Sequence, residues 1–175
     1  MARTGIALGA NLGDRTANLR AALDGLREIA PPDAPTLVAS LYETTPIGCP
    51  DGSPAFLNTV VEIDWPDTPL ALLAHTRVLE SRLGRSHNPV RNAPRIIEID
   101  ILYCGDATVD TPHLVLPHPR MAIRSFVLMP LAEIRPDFRP RPDGATVHEL
   151  LVRLQATEPP PTRIEAPCWS VTATR

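Results

Sequence analysis

The sequence contains no lysine: all 17 basic residues are arginine. This absence excludes chemistry that requires a side-chain amine, including the lysine of P-loop NTPases, the ATP-positioning lysine of protein kinases, Schiff-base catalysis and Ser-Lys dyads. Genomic base composition accounts for most of the depletion, and the 21 prolines fit the same bias. If the protein binds phosphate, it has to do so with arginine.

Long apolar runs are also absent. No segment approaches the roughly 20 apolar residues needed to span a bilayer, and the amino terminus, Met1–Gly5, has no apolar signal core. A net charge of −3 and a pI near 5.9 provide no general attraction to nucleic acid or to anionic membranes. We therefore expect a cytoplasmic protein that acts on neither nucleic acid nor membranes.

Cysteine and aromatic residues are scarce. Cys49, Cys104 and Cys168 lie far apart without a CxxC pair, so a zinc ribbon or a disulfide framework is poorly supported and reduced thiols are expected. Aromatic residues make up only 4% of the chain, and no RNP-like string is present. These features argue against a single-stranded nucleic-acid binder.

The length of the chain, 175 residues, predicts one compact domain. We place this domain at residues 1–157 and treat residues 158–175 as a proline-rich tail, with an added edge strand considered at Trp169–Thr172. We expect a monomer, although the sequence does not exclude an oligomer.

Apolar spacing and turn residues predict the following strands: 3–9, 36–45, 55–64 and 96–103. One helix should begin at Asp14 or Thr16 and another at Asp67 or Thr68. A third, Val147–Leu154, follows the capping box of Thr146 and Glu149. Between them we expect a hairpin at 106–116 and a helical stretch broken by Pro130. The order strand, helix, strand, strand, helix, strand is typical of an α+β, ferredoxin-like βαββαβ core with an antiparallel sheet.

Two acidic residues interrupt the otherwise apolar fourth strand. Side chains alternate along a strand, so Glu98 and Asp100 project from one face about 6.5 Å apart. On a covered strand such a pair needs a compensating cation, and oxygen ligands without nearby His or Cys favour Mg²⁺. An ordinary solvated strand face explains the same pattern about equally well.

An arginine-rich segment precedes this strand. Within 19 residues the only acidic residue is Glu80, and five arginines stand around it: Arg77, Arg82, Arg85, Arg91 and Arg95. Guanidinium groups beside metal-binding carboxylates are suited to bind a polyphosphate. Arg77 and Arg82 are expected on the solvated face of their helix.

His118 lies between two prolines, which hold it on a rigid turn. A functional role and a structural hydrogen bond explain this placement about equally well. The spacing of His113 and His118 does not fit a zinc site.

Several strings resemble one family when they are taken together. The segment Pro94–Leu102 is similar to the signature Pro-Arg-x-x-Asp-x-Asp-Ile of 6-hydroxymethyl-7,8-dihydropterin pyrophosphokinase, an enzyme family of folate biosynthesis. The resemblance extends in order through these segments: Ala7–Gly13, Tyr42–Gly48, Phe56–Asn58, Glu80–Arg85, Leu116–Phe126 and Pro130–Ile134.

The resemblance implies an α/β/α sandwich and transfer of diphosphate from ATP to the hydroxymethyl group of the pterin, with AMP released. It implies that Glu98 and Asp100 bind two Mg²⁺ ions and act with Arg85 and Arg95 in catalysis. The residues implied to contact ATP are Glu80, Arg85, Arg95, Ile101, His118 and Arg124. Those implied to bind the pterin are Thr44, Thr45, Pro46, Ile47, Phe56, Asn58 and Phe126.

The sequence departs from the family pattern in two places. Glu98 stands where the first Asp is usual, and in the loop 86–93 His87 and Asn92 stand where an arginine and an aromatic residue are often found. The substitution at Glu98 favours one alternative, a catalytically impaired homologue or a binding module for a nucleotide or another anion. Phe56 and Phe126 could also be ordinary core residues instead of contacts to the pterin ring.

Overall fold

The computed structural model describes residues 1–46, 49–85, 93–142, 144–157, 160–167 and 169. Its strands are β1 (Ala2–Ala10), β2 (Leu37–Val38), β3 (Leu41–Thr44), β4 (Phe56–Trp65), β5 (Glu98–Cys104), β6 (Val109–Asp110), β7 (Val115–Leu116) and β8 (Thr162–Ile164). Its α-helices are α1 (Arg15–Ile29), α2 (Pro69–Arg82), α3 (Ser125–Ile134) and α4 (Val147–Gln155), and a short 3₁₀ helix occupies Met121–Ile123.

The main sheet is antiparallel, with strand order β5-β1-β4-β3-β8, and β2 also pairs with β4. Strands β6 and β7 form a separate hairpin, as the sequence predicts for 106–116. The first and last strands of the βαββαβ order, β1 and β5, are neighbours, and β5 forms one edge of the sheet. The predicted ferredoxin-like core is confirmed.

Helices cover both faces of the sheet. Helices α1 and α2 enclose one apolar core that includes Ile6, Leu23 and Leu72. Helices α3 and α4 enclose a second core that includes Val60 and Leu128. The protein is therefore an α/β/α sandwich, as expected.

The helix starts follow local sequence signals. Asp14 caps α1 by accepting the backbone N–H of Ala17 at 3.0 Å, and Thr68 caps α2 through the N–H of Ala71 at 3.2 Å. The predicted capping box of α4 is present. Each cap satisfies donors that the first helical turn leaves without a partner.

Two predicted elements differ from the structure. The strand expected at 36–45 is divided into β2 and β3, because the N–H of Ser40 donates to the Glu133 carboxylate at 2.7 Å instead of joining the sheet. The expected break at Pro130 is also wrong, since α3 continues through this residue. Proline removes one helical hydrogen bond there, but Pro130 is buried and its neighbours Leu128 and Leu131 anchor the helix in the second core.

The tail adds a strand to the sheet. β8 pairs antiparallel with β3. Of the strand considered at Trp169–Thr172, only Trp169 lies within the described residues.

In the part of the chain described here, no helix is long and apolar enough to cross a membrane.

Candidate active site

A cavity of about 650 Å³ opens over one face of the sheet and extends from β5 to β8. Its lining includes ten residues that the sequence singles out: Thr44, Thr45, Phe56, Asn58, Arg95, Glu98, Asp100, His118, Arg124 and Phe126. Four separate segments of the sequence thus meet around one space.

The two carboxylates stand side by side at one end of the cavity. In the pairing of β1 with β5, Gly9 lies opposite Glu98 and Ala7 lies opposite Asp100. The side chains of Glu98 and Asp100 are 31% and 36% exposed. Burial and the neighbouring Asp100 raise the pKa of Glu98, while the nearby arginines oppose this change. The pair is therefore costly without cations.

Arginines supply positive charge at this end. Arg95 forms an ion pair with Glu98, Arg85 lies 4.0 Å from the same carboxylate, and Arg124 lies 4.0 Å from Asp100. Burial, and then the charge of Arg120, lower the pKa of Arg124. Because the guanidinium groups of Arg95 and Arg124 line a cavity larger than the carboxylates fill, they are suited to bind a polyanion, whereas Arg85 does not line this cavity.

Asn11 holds the backbone of Arg95 in place. Its N–H donates to the carbonyl of Arg95 at 3.1 Å, and its Oδ1 accepts the N–H of Arg95 at 2.7 Å. The Asn11 amide also donates to the carbonyl of Pro54 at 3.2 Å. Asn11, only 1% exposed, thus joins the segment before β5 to the loop before β4.

His118 faces the cavity with a neutral ring. Its Nδ1 accepts the N–H of Arg120 at 3.2 Å, which leaves the proton of the neutral imidazole on Nε2. Burial and the charges of Arg124 and Arg120 lower its pKa to about 4. Both explanations from the sequence therefore have support: the ring makes a local hydrogen bond and also lines the cavity.

The opposite end of the cavity is less charged. Thr44 lies opposite Phe56, and Asn58 lies on the next pair of the same face. The Asn58 amide donates to the hydroxyl of Thr44 at 2.9 Å, which fixes both groups. A Cβ at Gly9 would lie 3.0 Å from Asn58 Oδ1, so glycine leaves the amide its space. Neither Phe56 nor Phe126 is fully buried, so both have surface facing the cavity.

The chain is similar to known proteins over most of its length. A family model described as 7,8-dihydro-6-hydroxymethylpterin-pyrophosphokinase (HPPK) matches residues 5–136. The chain belongs to the HPPK family. It is 46% identical over 129 residues to the 2-amino-4-hydroxy-6-hydroxymethyldihydropteridine pyrophosphokinase of Bacillus subtilis, covering 74% of this chain and 75% of that protein. The enzyme of the same name from Pseudomonas aeruginosa is 39% identical over 149 residues, covering 85% and 90%.

Solved structures show the same HPPK fold at low identity. The wild-type HPPK-DHPS of Plasmodium falciparum with pteroate superposes with a TM-score of 0.71 at 13% identity, over 94% of this chain. The match covers 48% of the Plasmodium chain, so the present chain spans about half of that protein's length.

Two residues implied by the HPPK resemblance lie beneath the cavity. Glu80 is 8% exposed, accepts the N–H of Ile99 at 2.8 Å and pairs with Arg85. Burial raises its pKa. Ile101 is 3% exposed and packs in the core of α1 and α2, on the face opposite Asp100. Neither side chain lines the cavity, so their contact with a nucleotide stays a prediction.

The remaining predicted positions lie outside the cavity lining or outside the described residues. Pro46 is described but does not line the cavity. Ile47, His87, Arg91 and Asn92 lie outside the described residues. Arg77 and Arg82 are exposed on α2, as expected.

Some lining residues were not predicted from the sequence: Glu43, Cys49, Arg120, Ile123, Ser125, Pro160, Pro161 and Thr162. Three of these stand within the family-like segment Leu116–Phe126, so that segment was the available signal. No sequence signal indicated the three tail residues, because a contact between strands that are far apart in the sequence leaves no local pattern.

Proposed function

We propose that this protein transfers diphosphate from ATP to the hydroxymethyl oxygen of 6-hydroxymethyl-7,8-dihydropterin, releasing AMP, as a step of folate biosynthesis. The supporting observation is that one cavity combines the carboxylate and arginine group of β5 with the less charged group around Phe56 and Asn58. The first group suits a triphosphate, and the second suits a flat heterocycle with hydrogen-bonding edges.

The carboxylate pair fits Mg²⁺. Glu98 and Asp100 offer hard oxygen ligands on one face of the strand. In the described residues, no larger cluster of three or more His, Cys, Asp or Glu side chains offers a competing metal site. Mg²⁺ commonly uses one or two carboxylates together with water and substrate phosphates. We therefore assign Glu98 and Asp100 as ligands of two ions, which would neutralise phosphate charge when bound.

The protein groups then position the reactants. The hydroxymethyl oxygen forms a bond to the β-phosphorus, the bond from that phosphorus to the α,β-bridging oxygen breaks, and the hydroxyl proton leaves to solvent. Arg85, Arg95 and Arg124 hold phosphate oxygens and stabilise the developing charge. Neutral His118 donates a hydrogen bond from Nε2 to the nucleotide. Orientation and electrostatics provide the acceleration, so no strong base is required.

The products test this reaction directly. Purified protein incubated with ATP, Mg²⁺ and 6-hydroxymethyl-7,8-dihydropterin should form AMP and the pterin diphosphate in equal amounts. Formation of ADP instead would refute diphosphate transfer. Activity should disappear with EDTA and return when excess Mg²⁺ is added.

Glu98 supports a second candidate, a nucleotide or anion-binding module without turnover, because it adds a methylene at a metal position. Calorimetry with a non-hydrolysable ATP analogue, with and without Mg²⁺, separates the two when combined with the AMP assay. Binding without AMP formation would support the module. The cytoplasmic location and the monomeric state remain predictions.

A further inference from the structure

Part of the cavity wall lies outside the region that the family model matches. That match ends at residue 136, yet Pro160, Pro161 and Thr162 line the same cavity as the β5 carboxylates. The tail therefore takes part in the binding site.

The pairing of β8 with β3 defines which end of the cavity the tail borders. Thr162 lies opposite Glu43. Continuing this antiparallel register by one residue sets Pro161 opposite Thr44, and Thr44 in turn lies opposite Phe56. Directly opposed residues project from the same face. Pro161 thus joins Thr44 and Phe56 at the less charged end.

The carboxylates lie at the other edge of the sheet. In the order β5-β1-β4-β3-β8, four strand spacings separate the strand of Glu98 from the tail strand. At about 4.8 Å per spacing this is roughly 19 Å. A nucleotide tail held at β5 is therefore remote from Pro160 and Pro161.

The wall is held firmly by contacts on its carboxyl side. Ile164 packs against the core of α1 and α2. Trp169 is 8% exposed, and its indole N–H donates to the carbonyl of Ala39 at 2.8 Å. The guanidinium of Arg20 lies 5.6 Å from the Trp169 ring centroid. The two prolines also restrict their own backbone, so the wall is ordered before a ligand arrives.

We infer that Pro160–Thr162 form a specificity-determining wall of the dihydropterin subsite, packing against the edge of the ring and leaving the nucleotide subsite unaffected. This inference rests on the proposed function. Prolines suit the role because their apolar rings exclude water and their fixed backbone loses little entropy when a ligand binds.

Two variants change this wall in opposite ways. Pro160→Gly/Pro161→Gly removes both rings, whereas Pro161→Trp fills the space beside Thr44. Glu165→Gly is the matched control, because Glu165 is an exposed residue of the same tail that does not line the cavity. Circular dichroism and thermal unfolding check that each variant is folded.

The measurement is calorimetric binding of 6-hydroxymethyl-7,8-dihydropterin in the presence of Mg²⁺ and a non-hydrolysable ATP analogue, and of the analogue alone. Both wall variants should raise the dihydropterin Kd roughly five- to tenfold. The double-glycine variant loses about one or two methylene contacts, whereas the larger side chain of Pro161→Trp occupies space that the ring needs. The analogue Kd should stay within about twofold, and Glu165→Gly should match the wild type in both.

The outcomes separate the two claims. If the wild type forms AMP but both wall variants bind dihydropterin with unchanged Kd, the inference is wrong and the proposed function stands. An equal loss of analogue affinity would also overturn the inference, because the wall would then not be specific to the ring. If the wild type neither binds dihydropterin nor forms AMP, both claims are wrong.

Discussion

Asn11 and Arg95 are joined by two hydrogen bonds although 84 residues separate them in the chain. The backbone of each donates to the other residue, once to a carbonyl oxygen and once to the side-chain oxygen of Asn11. The Arg95 guanidinium then reaches Glu98. The buried Asn11 thus fixes the position of the Arg95 backbone, from which the guanidinium that we propose to bind phosphate extends.

Replacing Asn11 should affect both stability and turnover. Asn11→Ala leaves the buried N–H of Arg95 and the carbonyl of Pro54 without these partners, and should lower the free energy of unfolding by about 2 kcal/mol. Turnover should fall because Arg95 loses its fixed position. Urea unfolding and kcat measure the two effects. Asn18→Ala, which removes one partly buried bond to the carbonyl of Leu12, should leave kcat unchanged; an equal loss in this control would contradict the positioning role.

Asp100 should be essential for turnover but not for folding. Its side chain is 36% exposed, and its ion pair with Arg124 is long, at 4.0 Å. Asp100→Ala should therefore lower kcat by at least about a hundredfold, in line with loss of a group that stabilises transition-state charge, with little change in thermal unfolding. Asp110→Ala, on the exposed hairpin strand β6, serves as the control. Normal turnover in Asp100→Ala would remove this residue from the metal site.

Glu98→Asp tests the departure from the family pattern. Because aspartate is the usual residue at this position, we expect the shorter side chain to be tolerated or to improve the rate, as measured by kcat and by the Mg²⁺ concentration for half-maximal activity. A large loss would mean that the site has adapted to the longer side chain.

His118 should make stability depend on pH. Its pKa in the folded protein is about 4, below the ordinary value of 6.5. Between these values the unfolded chain binds a proton that the folded protein does not, so the free energy of unfolding falls as the pH is lowered. Urea unfolding without nucleotide at pH 7 and pH 5 should show a smaller decrease in His118→Asn than in the wild type. Equal decreases would count against a partly buried, neutral imidazole at His118.

Tyr103 should stabilise the protein through a buried carboxylate. Its hydroxyl donates to Glu62, which is fully buried and also bound by Arg3 and Arg135. Tyr103→Phe should lower the free energy of unfolding by about 2 kcal/mol, since hydrogen bonds to charged groups are stronger than neutral ones. Tyr42→Phe is the matched control, because the carboxylate partner of Tyr42, Glu133, is exposed. This variant should lower the free energy of unfolding by less than Tyr103→Phe does. Denaturant unfolding compares them, and equal losses would argue against the effect of burial.

Much of the site could be predicted because strand alternation is local. The period of two along β5 places Glu98 and Asp100 on one face in any fold that keeps the strand intact. The capping residues of the helices lie within three positions of their partners, so the sequence could predict them as well. The break expected at Pro130 failed because a local rule was outweighed by burial of α3 in the second core.

The sequence by itself determined the chemistry available to this protein: arginine as its only basic side chain for phosphate, a carboxylate pair for a cation, and a βαββαβ order of elements. The tertiary structure alone decided which distant groups meet. It set Asn11 against Arg95, the Ser40 N–H on Glu133, and a proline-rich tail beside Thr44. These contacts depend on packing between segments far apart in the chain, and such packing leaves no periodic trace in either partner.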